Sequence, residues 1–327
     1  MNSPTPDQPF EVAGRRVLVT GASGFLGSSV ISRILADGAK VAGLSRTPGR
    51  AAALAGHGSY EFIPCDLEDR DRAVRAVRGF APEVILHFAS RPDGAESIDH
   101  CRASVSANLL ATVNLLEACT RDLQVLVYAD SCKVHGTADP PYREHTPVEP
   151  NSSYAATKAA GWWLCRVFAR ANSFATVSVR PTLIYGPGQG LNLIEYVAVK
   201  ALTGASDIPL DGGSQTRDPL FIDDAVEVYS RVVRHAPRLS GRAIPVGGGI
   251  EITVERLANQ IVTACGSMQR VRTCPERVRS TEIWHSWCNN EDANRLLDWS
   301  PRTSLAQGLD RTISSIRARL GTGPAPA

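Results

Sequence analysis

The 327-residue chain has no run of eighteen apolar residues, which excludes a transmembrane helix on the length a bilayer requires. Its start, Met1 to Phe10, lacks the basic cluster and apolar core of a signal peptide. It has almost no net charge: 35 Lys and Arg against 33 Asp and Glu give +2. That balance provides no field for nucleic acid or an anionic membrane, so any anion must be held locally. The eight cysteines, at 65, 101, 119, 132, 165, 265, 274 and 288, form no C-x-x-C pair. The spacing argues against a metal site and for reduced thiols in a cytoplasmic protein. With 43% hydrophobic and 21% charged residues, disorder is not the main state, and the length suggests about two domains.

What is present is alternation. Short apolar runs at Arg16–Thr20, Val41–Leu44, Glu61–Pro64, Val84–Phe88 and Val125–Ala129 read as strands. Helical spacing lies between them, notably at Phe25–Ala36, Asp71–Val77 and Ser104–Cys119, and a long helix follows over Asn151–Ala171. This predicts an α/β fold: a Rossmann-like, doubly wound parallel sheet with a smaller C-terminal substrate-binding lobe. A further strand is expected at Thr176–Arg180, and helices near Ile194–Leu202, Asp223–Arg234, Val254–Cys265 and Leu305–Leu320. The boundaries expected are a flexible N-terminus over 1–12, a Rossmann domain over 13–185, a mainly substrate-binding lobe over 186–320 that returns some segments to the first domain, and a flexible tail over 321–327.

Thr20-Gly21-Ala22-Ser23-Gly24-Phe25-Leu26-Gly27 joins the first strand to the first helix. Gly21 can make the tight turn, Gly24 lets backbone approach a pyrophosphate, and Gly27 lets helix and strand pack closely. The helix N-terminus offers N–H groups and a positive dipole end to the anion. The second strand ends in Leu44-Ser45-Arg46, without the carboxylate that would take the ribose hydroxyls of NAD. Arg46 and Ser45 suit a 2′-phosphate, so NADP is favoured slightly over NAD. Downstream, Tyr154 and Lys158 stand at i and i+4 on one helix face, after a strand that runs into Asp130-Ser131.

With these motifs the chain resembles the extended short-chain dehydrogenases/reductases, in their NAD(P)-dependent nucleotide-sugar epimerase/dehydratase group. Asp66-Leu67 is similar to the group's adenine-contacting pair. His87-Phe88-Ala89-Ser90 is similar to its stretch beside the cofactor, and Asn108 with Thr112 to its helix Asn and Gly-Thr. Ser131-Cys132-Lys133-Val134-His135-Gly136 resembles the stretch that holds the catalytic hydroxyl. Arg180-Pro181, Tyr185-Gly186-Pro187-Gly188, Arg217-Asp218, Phe221-Ile222-Asp223-Asp224 and Trp299-Ser300-Pro301 continue the match in order.

The resemblance implies Tyr154 as base, its pKa lowered by Lys158 and the nicotinamide charge, with Lys158 also on the nicotinamide ribose and Ser131 orienting the sugar oxygen. It implies a nucleotide-diphosphate sugar as partner, Arg217 and Arg279 as its diphosphate grip, and a homodimer through the helices at 104–119 and 151–171. Leu183 stands where relatives often carry an Asn, so the grip is expected to differ in detail. Tyr154 and Lys158 join Gly21, Ser23, Gly24, Phe25, Leu26, Gly27, Ser45, Arg46, Asp66, Leu67, Phe88, Ala89, Ser90 and Asn108 as cofactor-binding candidates.

The reaction turns on Cys132-Lys133. Hexose 4,6-dehydratases of the group usually carry Asp-Glu there, and simple 4-epimerases small or neutral residues. Lys133 can move a proton at a carbon beside a transient ketone, and Cys132 can act as a second acid/base if partly thiolate. His135 replaces the usual Tyr and is a substrate-side candidate. Trp284, His285 and Trp287 read first as core. Epimerisation through transient oxidation at C4 ranks first, dehydration through Cys132 and Lys133 second, ketosugar reduction with NADPH third. A non-catalytic module is disfavoured, because Ser131, Tyr154 and Lys158 are all present.

Overall fold

The computed structural model describes residues 9–92, 97–190, 192–204 and 207–321. The chain runs β1 (Arg16–Thr20), α1 (Phe25–Ala36), β2 (Lys40–Ser45), β3 (Tyr60–Pro64), α2 (Arg70–Phe80), β4 (Val84–His87), α3 (Ile98–Ser104), α4 (Ala111–Ala118), β5 (Val125–Ala129), α5 (Ser153–Asn172) and β6 (Ala175–Pro181). It continues through β7 (Leu183–Tyr185), α6 (Leu193–Leu202), β8 (Asp207–Asp211), β9 (Thr216–Arg217), β10 (Pro219–Phe221), α7 (Ile222–Leu239), β11 (Ala243–Val246), β12 (Ile252–Thr253), α8 (Val254–Ala264), β13 (Arg270–Cys274), α9 (Glu291–Leu297) and α10 (Leu305–Leu320).

Seven strands form one sheet in the order β11-β6-β5-β4-β1-β2-β3, every neighbouring pair parallel. Alternation along β1 explains the layering: Val17 and Val19 pack with α1 and α7 residues, while Leu18 packs with α2, α4 and α5 residues on the other face. The strand order reverses between β1 and β4, and the crevice at that switch point is where such sheets bind ligands. A separate apolar cluster joins α6, α8 and α10 to the small β8–β13 pair. The edge strand β11 and helix α7 lie far along the chain yet belong to the main sheet layer.

Two expectations are corrected. Of the N-terminus expected to be flexible, residues 1–8 lie outside the described residues, but Phe10 and Val12 are buried. Phe10 lies under the Arg15 guanidinium (4.5 Å), and its amide donates to the Arg234 carbonyl (2.7 Å). At the other end, 322–327 lie outside the described residues and Gly321 caps α10. The helix expected over 104–119 is a longer run, in which α3 and α4 are joined by a π-helical turn at Val105–Leu110. Such wide turns inside helices often mark functional positions, and this one carries Asn108.

Candidate active site

A cavity of about 640 Å³ opens over the switch point and is lined by Gly21, Gly24, Phe25, Leu26, Gly27, Phe88, Ser90, Ser131, Cys132, Lys133, Tyr154, Arg217 and Arg279, among others. A groove of about 520 Å³ continues from it past Ser23, Ser45, Arg46, Asp66, Leu67 and Ala89. These two spaces bring together every candidate named from the sequence except Lys158, Asn108 and His135.

The glycine loop explains its own composition. Gly21 has φ +68°, and a Cβ there would stand 2.7 Å from the Ala89 nitrogen; a Cβ on Gly27 would stand 2.4 Å from the Gly21 oxygen. Gly24 caps α1 without a side chain, so no side-chain oxygen takes the first helical N–H groups on the cavity side. This cradle fits a dinucleotide's diphosphate. In this second groove Arg46 is exposed just past the end of β2, but the Ser45 hydroxyl donates to the Thr47 carbonyl (2.7 Å).

Behind the loop lies a buried hydrogen-bond chain whose direction can be worked out. Thr112 Oγ1 donates its only hydrogen to the Asn108 carbonyl (2.6 Å), so it must accept from His87 Nε2 (3.0 Å). Burial and the nearby Lys158 charge push the His87 pKa down to about 3, so the ring is neutral and its bare Nδ1 accepts from Thr20 Oγ1 (2.7 Å). Thr20 Oγ1 in turn accepts from the Ala89 amide (3.2 Å). Asn108 Oδ1 accepts from the Arg91 amide (2.7 Å), while its Nδ2 donates to Thr157 Oγ1 (3.1 Å), and Thr157 donates to the Tyr154 carbonyl (2.9 Å). The segment beside the cofactor crevice and the Tyr154 helix are thus tied into one network. Asn108 is 1% exposed and positions both; the structure does not place it against the cavity as the sequence reading expected.

Tyr154 enters in the first turn of α5, which Ser152 caps by accepting from the Ala155 amide (3.3 Å). Its phenol is pushed up by burial and by Asp130, against the hydrogen bond it receives from Ser131. The expectation of a phenol lowered by Lys158 is therefore corrected for the protein without ligands: desolvation dominates. Lys158 is 1% exposed, with Nζ 4.3 Å above the Tyr128 ring, and burial pushes its pKa down to about 8. Asp130, which the sequence showed only as a neighbour of Ser131, organises this end. Its carboxylate accepts from the Ser131 amide (2.9 Å), Ser178 Oγ (3.1 Å) and Arg180 Nε (2.9 Å), the last a fully buried ion pair.

The other candidates part company. Lys133 is an exposed residue that lines the cavity, with Nζ 5.6 Å from the Tyr154 ring centre; desolvation by the cavity walls, then Arg217 and Arg279, hold its ammonium below the ordinary lysine range, with Glu282 opposing. Cys132 is 1% exposed, and its thiol donates to the Arg180 carbonyl (2.9 Å) and lies 3.5 Å from the Cys288 sulfur. His135 is fully buried, with Nδ1 on the Pro147 carbonyl (2.8 Å) and its ring stacked on Tyr142, so the structure does not bring it to the substrate side. Arg217 donates to the Thr216 and Ile283 carbonyls (2.7 and 2.9 Å) and to Glu282. Trp284 and His285 are exposed rather than core, and His285 Nδ1 pairs with Glu251 (2.8 Å). Sequence reasoning missed Glu282 as Arg217's partner and Tyr229 as a cavity residue.

A dinucleotide cradle at a topological switch point, followed by a Ser–Tyr–Lys set, defines a Rossmann-fold enzyme. The comparisons resolve that class further. The family model of the NAD dependent epimerase/dehydratase family matches residues 17–247, and the chain belongs to that family. It is 32% identical over 313 residues to a UDP-glucose 4-epimerase of Mycolicibacterium smegmatis, covering 92% of this chain and 98% of that one. A dTDP-glucose 4,6-dehydratase of Streptomyces niveus is 31% identical over 324 residues, covering 92% and 93%. The UDP-glucose 4-epimerase of Thermus thermophilus, solved in complex with NAD, matches with a TM-score of 0.82 at 27% identity, over 92% of this chain and 99% of that one. Among the described residues, no helix is long and apolar enough to cross a membrane.

Proposed function

We propose that the chain is a nucleotide-diphosphate-sugar 4-epimerase. The observation that carries this is the composition of the catalytic end: Ser131 and Tyr154 meet at the cavity, while the two residues after Ser131 are Cys132 and Lys133, neither a carboxylic acid suited to expelling water. A nicotinamide nucleotide held over Gly21, Gly24 and Gly27 would supply a reversible hydride acceptor. Ser131 holds the sugar hydroxyl, Tyr154 takes its proton as the carbon is oxidised and returns it after the opposite face of the keto sugar has been reduced. Lys158, charged at neutral pH with a pKa near 8, stabilises the phenolate that this requires. Among the described residues Arg217 bonds through Nη1 and one Nη2 hydrogen, which leaves Nε and the other Nη2 hydrogen, and with Arg279 it takes the diphosphate.

The adenosine end supports NADP over NAD through Arg46 and the missing carboxylate, against the NAD held by the solved Thermus relative. Arg46→Ala should narrow the NADP-over-NAD affinity ratio about tenfold, the worth of a charge-assisted bond to phosphate; an unmoved ratio removes that preference. The division near residue 185 into cofactor and substrate parts belongs to the same reading. So does a homodimer: Ile98, Val105 and Leu110 on the α3–α4 run, and Trp163 and Val167 on α5, are exposed apolar side chains on neighbouring helices. The eight unbridged cysteines support a reducing, cytoplasmic setting.

The test is a panel of nucleotide sugars in deuterium oxide, read by mass and proton spectra. The expected product is a C4 epimer without solvent deuterium, because the hydride is internal. A second reading, dehydration or epimerisation at a neighbouring carbon, is favoured by Lys133: its ammonium faces the cavity and makes no ion pair among the described residues. It requires solvent deuterium in the product, lost in Lys133→Ala. Net consumption of NADPH would instead establish the reductase.

A further inference from the structure

Tyr229 is on the face of α7 that packs against β5 and β6, within the apolar cluster of Val17, Val19 and Ala129. Its spacing with Ala225, Val228, Val232 and Val233 reads as an ordinary core stripe. Three observations separate it from that stripe. It is 1% exposed, yet its hydroxyl has no hydrogen-bond partner among the described residues. The residue lines the cavity, in company with Ala129, Asp130, Ser131 and Tyr154, and not the adenosine-side groove. Burial, and then Asp130 and Tyr154, push its phenol up, so the hydroxyl keeps its proton and is available as a donor.

A buried hydroxyl with no partner costs free energy, and a leucine or phenylalanine would fill the same space without that cost. The ring itself is fixed, standing edge-on against Phe88 with centroids 4.8 Å apart and planes at 69°. The oxygen therefore has little freedom to seek another partner. The diphosphate already has its donors in the glycine loop and the α1 N-terminus, at the other end of the same cavity.

We infer that the Tyr229 hydroxyl is a binding group for the nicotinamide end of the dinucleotide, donating a hydrogen bond to its carboxamide oxygen. The inference rests on the cofactor reading above and adds a residue to it. It also gives the orphan hydroxyl a purpose: the bond is made only when the pyridine ring is in place beside Tyr154.

The experiment uses the full chain, stripped of nucleotide, and Tyr229→Phe, which removes one oxygen and keeps the ring on Phe88. Dissociation constants are measured for NAD and for ADP-ribose, which has both riboses and the diphosphate but no nicotinamide. The expected result is about tenfold weaker NAD binding by the variant, with ADP-ribose binding within about twofold and the ligand-free melting temperature unchanged or raised. Unchanged NAD affinity would overturn the inference. So would equal weakening of both ligands, which would assign the bond to ribose or diphosphate. A lowered ligand-free melting temperature would show a partner within the protein and overturn it too. If the wild-type chain bound neither nucleotide, the cofactor reading itself would fall, an outcome distinct from each of these.

Discussion

The two ends of the cavity are built on different principles. Under the glycine loop, short side chains with few rotamers hold one another: Thr20, His87, Thr112, Asn108 and Thr157 are joined by hydrogen bonds of 2.6–3.1 Å. Toward the substrate, long charged side chains dominate: Lys133 and Arg279 line the wall, and Arg217 rests on Glu282. The first end is fixed before anything binds, because its donors and acceptors are matched and buried. The second is arranged around an anion that must be supplied, and its cations hold each other in an unfavourable field until it arrives. Positioning chemistry is thus invested in the protein at one end and in the ligand at the other.

The largest expected effect tests whether the rigid end serves the chemistry. Tyr154→Phe should lower turnover by about 10²–10⁴-fold, the range for a general acid–base group, while cofactor content stays near that of the wild type. Turnover close to normal would break the assignment of Tyr154. Next, Arg217→Ala tests whether the charged end serves binding. It should raise KM for the nucleotide sugar about ten- to a hundredfold, as befits charge-assisted bonds to phosphate, with kcat changed far less. A loss confined to kcat would place Arg217 in the reaction and blur the contrast between the ends.

The same contrast decides what could be read from the sequence. The strands β1 and β5 and helices α1 and α10 fall where periodicity puts them, because apolar alternation and glycine spacing are local signals. The cradle was legible for that reason. The π-helical turn that presents Asn108 was not, since one extra residue in a turn leaves no mark in composition. His135 was read toward the substrate from its place in a motif, but the loop that follows supplies Tyr142 and Pro147 and buries it. Tyr229 is hidden by its own helix: at that spacing a tyrosine looks like core, and its unpartnered hydroxyl and its place on the cavity wall distinguish it. Glu282 and Arg217 meet from positions 65 residues apart, a pairing that no local pattern reports.

His87 gives a smaller effect with a definite sign. Its pKa is about 3 in the fold and about 6.5 when unfolded. The unfolded chain therefore binds the extra proton between those values, and stability falls as pH drops below about 6.5, with nothing lost above it. His87→Gln, which keeps a donor and an acceptor but does not titrate, should give a stability curve shallower by about one proton over roughly pH 4–6. Urea unfolding at several pH values measures this. Equal slopes would mean that His87 is charged in the fold, and the bond between Thr20 and His87 would then run the other way, with Nδ1 donating to Oγ1.

The smallest expected effect is at Cys132, which sits between Ser131 and Lys133 and so looks catalytic by position. Its thiol hydrogen goes to the Arg180 carbonyl, so the contact with Cys288 must use the Cys288 hydrogen, and neither thiol is directed to Tyr154 by these bonds. Burial also pushes the Cys288 thiol up, which disfavours a thiolate on Cys288. Cys132→Ser retains a donor for the Arg180 carbonyl and should leave kcat within about twofold, since hydrogen bonding and not thiol chemistry is all the position is asked to supply. A fall of about tenfold or more, with the melting temperature preserved, would show that the thiol reaches the sugar during turnover. It would move Cys132 from the matched end of the site to the reactive one, and with it the balance from epimerisation toward dehydration.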